Sequence, residues 1–126
     1  MRLLLDTHIL LWWLEDEPLL PPQAAALIAD RGNQVFVSPV SVWEMAIKSQ
    51  LGKLKADADE VRTAAQHSGF QPLAFTLEHA VAVARLPHHH RDPFDRGLVA
   101  QALLEPLTLL THDESLGVYG ERVLIV

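Results

Sequence analysis

The tightest constraint on this chain is a set of short apolar runs, residues 3–5, 35–37 and 123–125, with 107–110 broken only by Thr108, set among stretches of helical periodicity. A strand with no polar face is buried on both sides, and helices supply that cover in a parallel sheet. The pattern therefore predicts an α/β fold, a small parallel β-sheet sandwiched by α-helices. Helices are expected from about His8 to Leu14, from Pro21 and Pro22 through Ile28, over 41–51 and 58–68, from Leu77 to just before Pro87, and up to Leu104. The helix over 41–51 is expected to bury Val40, Trp43, Ile47 and Leu51, and Leu77, Val81 and Ala84 mark the helix that ends before Pro87. A short apolar segment covers 72–75. With 126 residues, one domain over 1–126 is the expectation.

Composition narrows the chemistry. Zero cysteines exclude disulfide scaffolds, thiolate zinc sites and thiol nucleophiles. Ten basic against sixteen acidic residues give a net charge of −6, so any polyanionic partner needs a local positive site. The apolar N-terminus is broken by Asp6, Thr7 and His8, and the clean stretch at 9–14 falls far short of the roughly 20 residues a membrane helix takes. A soluble, cytoplasmic protein without membrane contact is expected.

In a doubly wound sheet, ligands bind beyond the carboxyl ends of the strands, so residues just after strands carry the functional weight. Four acids stand there: Asp6 after the first run, Glu44 in the helix after the second, Asp95 at the opening of a helix, and Asp113 after the run at 107–110. Asp95 shares a helix face with Leu98 and Ala102, which turns it inward. Two carboxylates about 4 Å apart repel by roughly 4 kcal/mol at an effective dielectric near 20, so a cluster must protonate, separate or hold a cation. Hard oxygen donors without thiolates favour Mg²⁺ or Mn²⁺. Each acid also has a structural alternative. Asp6 and Asp113 can cap helices, Glu44 can pair with Lys48 at i+4, and Asp92 before Pro93 fits a helix cap followed by proline.

The segments LLLDTHILLWWL, SPVSVWEMAIKSQLGKL, HRDPFDRGLVAQAL and LTLLTHDESLG, in that order and spacing, resemble the PIN-domain ribonucleases, in particular VapC-type toxins of toxin–antitoxin pairs. The likeness spans nearly the whole chain. It implies a PIN-like sheet flanked by helices, metal-dependent cleavage of RNA phosphodiester bonds, and a cognate antitoxin that blocks the acidic pocket. Asp6, Glu44, Asp95 and Asp113 stand where that family has its acidic quartet, and Thr7, Ser41 and Thr111 match nearby hydroxyl positions. Asp6 and Asp95 are read as the principal metal ligands, Asp113 as ligand or outer acceptor, and Glu44 as the residue that orients or deprotonates the attacking water.

The required positive site falls in residues 85–96, where Arg85, His88, His89, His90, Arg91 and Arg96 face only Asp92 and Asp95. Arg91 and Arg96 suit phosphates flanking a cut, although Arg96 also stands at i+4 from Asp92. Three adjacent histidines do not converge on one ion, so His88 to His90 read as a polar loop. Trp13 and Trp43 read as core, with Trp12 open. The apolar first helix and the Ala-rich second offer a surface for a homodimer or an antitoxin.

Two other classes share parts of this pattern. A phosphoacceptor regulatory domain needs a lysine after a late strand, whereas Lys48, Lys53 and Lys55 all lie in or just after the middle helix. A catalytically silent binding module of the same fold predicts no metal-dependent cleavage.

Overall fold

In β1 (Arg2–Leu5), Leu3 and Leu5 enter one core and Leu4 the other, as strand alternation requires, and all three are fully buried. The computed structural model describes residues 1–126, in which β2 (Gln34–Val37) and β4 (Thr108–Thr111) flank this strand. The two-residue β3 (Gln71–Pro72) lies outside β2, and β5 (Val123–Ile125) lies outside β4. The order is β3-β2-β1-β4-β5, with every neighbouring pair parallel. The apolar runs thus form the parallel sheet their composition predicts, and the apolar segment at 72–75 contributes a strand only at its first residue.

One face of the sheet is covered by α1 (Thr7–Leu14), α2 (Pro22–Ala29), α3 (Pro39–Gln50) and α4 (Ala58–His67), which contribute Ile9, Leu10, Ala24, Met45 and Val61 to its core. The other face packs on Leu98, Val99 and Ala102 of α6 (Pro93–Leu104), on Val40, and on Leu116 of a 3-10 turn over Glu114–Tyr119. Between α4 and α6 in sequence, α5 (Leu77–Arg85) lies along α6. Gly52, at φ +73°, takes the left-handed turn that ends α3, with Lys53 N–H bonded to Lys48 C=O. No helix is long and apolar enough to cross a membrane.

The helix expected to bury Trp43 and Leu51 turns a different face inward. In α3 the buried residues are Val40, Ser41, Glu44 and Met45, while Trp43 and Leu51 are more than half exposed. The helix is rolled so that Ser41 and Glu44 point inward, and Trp43 packs edge-on against Phe94 at 5.0 Å. In α5, Leu77 is 83% exposed and Val81 and Ala84 are also exposed. Its inward face carries His79, whose Nδ1 accepts from Thr76 N–H and whose Nε2 meets Glu105.

The chain leaves β1 toward β2 on one side and returns to β4 on the other, so strand order reverses at β1. The Asp6 N–H bonds Leu110 C=O at 3.0 Å just past the ends of β1 and β4, which places Asp6 at that switch point.

Candidate metal centre

Asp6 serves as both a cap and a candidate ligand. Its extended backbone ends β1 and caps α1, and Oδ1 accepts from Thr7 N–H at 2.7 Å. Oδ2 accepts from the Thr111 hydroxyl at 2.6 Å, and Thr111 Oγ1 in turn accepts from Asp113 N–H at 3.0 Å. The end of β4 is thereby tied to the end of β1 through one buried hydroxyl. Burial raises the Asp6 pKa above its usual value, opposed by the Thr111 and Thr7 hydrogen bonds.

Glu44 reaches the same crevice from the first turns of α3 and is 2% exposed, so it is not a solvated surface acid. Its Oε1 accepts from the Thr7 hydroxyl at 2.7 Å and its Oε2 from the Lys48 ammonium. Ser41 Oγ lies 3.1 Å from Thr7 Oγ1; the Thr7 hydrogen is committed to Glu44, so Ser41 is the donor of that pair. The i+4 pairing with Lys48 and the inward placement therefore coexist. The Glu44 hydrogen bond raises the Lys48 pKa against the opposing effect of burial.

Asp95 stands at the opening of α6, capped by Asp92, whose Oδ1 accepts from Phe94 N–H and Asp95 N–H. Burial, then the charges of Asp6 and Asp92, push its carboxyl up to about 7, with the His90 contact pulling the other way. Asp113 caps the 3-10 turn, accepting from Ser115 N–H at 3.0 Å and Ser115 Oγ at 2.7 Å, and the Ser115 hydroxyl holds its pKa below the usual range. The loop at 87–91 thus returns the chain to the active edge, the step on which the place of Asp95 depends.

The donor atoms of His90, Asp95 and Asp113 lie within 4.8 Å of one another. Asp6 is near enough to raise Asp95 electrostatically, and Glu44 acts likewise on Asp6. The set fits a small divalent cation, because oxygen donors dominate and desolvation together with neighbouring carboxylates raises the pKa of both Asp95 and Asp6, a penalty a cation would relieve. Thr7, Ser41 and Thr111, matched to the family's hydroxyl positions, are buried: Thr111 bridges the Asp6 carboxylate and Asp113 N–H, and Thr7 links Glu44 to Ser41.

The two arginines part company. Arg91 is exposed. Arg96 is 6% exposed and donates to the carbonyls of Val83 and Pro87 at 3.0 Å and of Leu86 at 3.4 Å, and to Tyr119 Oη at 3.3 Å. It is spent on the chain's own carbonyls, which corrects its expected role as a phosphate contact and equally the pairing with Asp92. The polar-loop reading missed His90. Neither periodicity nor ligand spacing marks it, and only its position just before an Asp-Pro helix cap hints that it is held.

The raised carboxyl has a measurable consequence. Between the usual value of 3.8 and about 7 the folded state carries a proton on Asp95 that the unfolded state lacks. Stability of the metal-free protein therefore falls as pH rises through that window. The full gap corresponds to about 4 kcal/mol, and partial contact with water reduces the expected loss to about 2 kcal/mol. Urea denaturation in EDTA at pH 4.5 and 7.5 measures it, and saturating Mn²⁺ should flatten the difference.

Comparison with known proteins gives concordant results. The PIN domain family pattern matches residues 3–121. Among solved structures, VapBC2 from Rickettsia felis, bound to a DNA fragment from its promoter, superposes with a TM-score of 0.70 at 14% identity, covering 100% of this chain and 98% of the other. A toxin–antitoxin complex from Klebsiella pneumoniae gives 0.66 at 22% identity over 96% and 94%. FitAcB from Neisseria gonorrhoeae gives 0.61 at 18% over 93% and 91%. No curated protein matches the sequence.

Proposed function

Because the chain belongs to the PIN domain family, we propose that it is a Mg²⁺- or Mn²⁺-dependent endoribonuclease and the toxin of a toxin–antitoxin pair. The observation that carries this reading is the convergence of Asp95, Asp113 and His90, whose donor atoms lie within 4.8 Å of one another at the carboxyl edge of the sheet, with Asp6 at the switch point close enough to act on Asp95. Asp6, Asp95 and Asp113 would hold the cation, with Glu44 on the α3 side. Once bound, the cation lowers the pKa of a water and offsets charge growing on the phosphoryl oxygens.

The chain's own residues do the rest. The Thr111 hydroxyl and Thr7 N–H each hold one oxygen of the Asp6 carboxylate and so fix its orientation. Thr7 and Lys48 orient Glu44, which accepts a hydrogen bond from the attacking water and aligns it. Lys48 and the exposed Arg91 supply the local positive charge an acidic protein needs to approach a polyanion. A cognate antitoxin is proposed as partner, by likeness to a structure described as a toxin–antitoxin complex, and the cytoplasm is proposed as the compartment. A homodimer belongs to the same proposal; because Ile9, Leu10 and Leu11 of α1 are spent in the core, the apolar face a second copy would cover is not the first helix but Leu77, Val81, Leu103 and Leu104. Light scattering that gives a monomer mass at tens of micromolar would count against the dimer.

The test of activity is incubation of purified protein with total RNA and with single-stranded DNA, in Mg²⁺, Mn²⁺ or EDTA. Cutting of RNA in either cation and none in EDTA is expected. Equal cutting in EDTA, or intact RNA under every condition, contradicts the proposal.

A further inference from the structure

His90 reaches the metal site with one ring nitrogen against Asp95 and the other toward Ser115. The Ser115 hydroxyl gives its hydrogen to Asp113 Oδ1 at 2.7 Å, so toward His90 Nδ1, 3.4 Å away, it offers a lone pair. Ser115 Oγ can thus accept from Nδ1–H, and without a cation the 2.8 Å contact between Nε2 and Asp95 Oδ2 holds a proton, which lowers the Asp95 pKa. A bound cation would displace that proton and leave the Nε2 lone pair beside the carboxylate, with Nδ1–H still facing Ser115. Adjacent donors around an octahedral cation with bonds of about 2.1 Å are themselves about 3 Å apart, so this spacing suits two neighbouring ligands. An imidazole whose second nitrogen is tied to a hydroxyl has the usual outer support of a metal-bound histidine.

The ring is also held in place. Its side chain is 19% exposed, Arg96 grips the Pro87 carbonyl on one side of the loop, and the Asp92 cap fixes the other. We propose that His90 Nε2 is a ligand of the cation alongside Asp95 and Asp113, and that this nitrogen makes the site prefer Mn²⁺ to Mg²⁺. The proposal rests on the metal-site reading above and sharpens its ligand set. Mg²⁺ binds oxygen almost exclusively and sheds water reluctantly, whereas Mn²⁺ accepts a nitrogen donor, so one imidazole among carboxylates shifts selectivity toward Mn²⁺.

The experiment is Mn²⁺ titration of the full chain followed by electron paramagnetic resonance, with Mg²⁺ affinity from competition and electron spin-echo envelope modulation to detect a directly bound ¹⁴N. Wild type should show the ¹⁴N modulation. His90→Asn should lose it, with Mn²⁺ affinity falling about tenfold and Mg²⁺ affinity changing less than about threefold. The idea is overturned if the modulation survives in His90→Asn, or if Mn²⁺ and Mg²⁺ affinities fall together, since His90 would then only orient Asp95. The wild-type spectrum decides even if the variant folds poorly. If wild type binds Mn²⁺ without ¹⁴N modulation and Asp95→Asn abolishes binding, the metal site stands and the histidine ligand falls. If wild type binds no Mn²⁺, both fall.

Discussion

Asp95→Asn is expected to lower metal-dependent RNA cleavage by about a thousandfold while making the metal-free protein more stable at pH 7.5. The two effects share one cause. Asn keeps the size of the side chain and leaves the Asp92 cap on the α6 backbone untouched, but it removes the charge that burial, Asp6 and Asp92 all disfavour. Relief of that penalty should return about 2 kcal/mol, or about 8 °C in Tm for a chain of this size. The same change deletes a charged oxygen donor at the cation. Losing about 4 kcal/mol of transition-state stabilisation corresponds to about three decades in rate. The variant should also flatten the fall in stability between pH 4.5 and 7.5. Paired cleavage assays and urea denaturation check it; loss of activity together with loss of stability would make Asp95 a fold residue and nothing more.

Arg96→Met is expected to fail in the opposite way. The guanidinium is buried and donates to the carbonyls of Val83, Leu86 and Pro87, where α5 ends and the loop toward His90 begins. A cation there answers the negative end of the helix dipole and satisfies carbonyls that have lost their helical partners. Met fills the space without donors: the Leu86 carbonyl loses its partner, while Val83 C=O keeps Leu86 N–H and Pro87 C=O keeps His89 N–H and the Tyr119 hydroxyl, so a loss of about 1–3 kcal/mol is expected. Arg96→Lys should rescue only part of it, because an ammonium cannot span the fork. By contrast, Arg91→Ala should change stability by no more than about 0.5 kcal/mol and weaken RNA binding, most strongly at low salt. Urea denaturation of the three variants distinguishes them, and a stable Arg96→Met would contradict the pinning role.

Much of this architecture was readable in the residues. Runs such as Leu3 to Leu5 have no polar face, so a covered parallel sheet was forced, and an acid placed after a strand was bound to reach its carboxyl edge. Failures cluster where the site overrides patterning. In α3, placing Ser41 and Glu44 inward to meet Thr7 turns Trp43 out, so a rule that buries apolar residues selects the wrong side. Leu77 and Val81 mark a true apolar stripe, but periodicity does not say whether the chain itself covers it. His90 and Arg96 owe their roles to the irregular path of residues 87–92, where no repeat relates a residue to its neighbours in space.

Everything functional depends on the carboxylates sharing one cation, and anomalous diffraction from crystals grown with Mn²⁺ tests that directly. The account predicts one strong manganese peak beyond the ends of β1 and β4, about 2.2 Å from oxygens of Asp6 and Asp95 and within reach of Asp113. No peak there, or side chains of Asp6 and Asp95 turned apart with no ion between them, would contradict it.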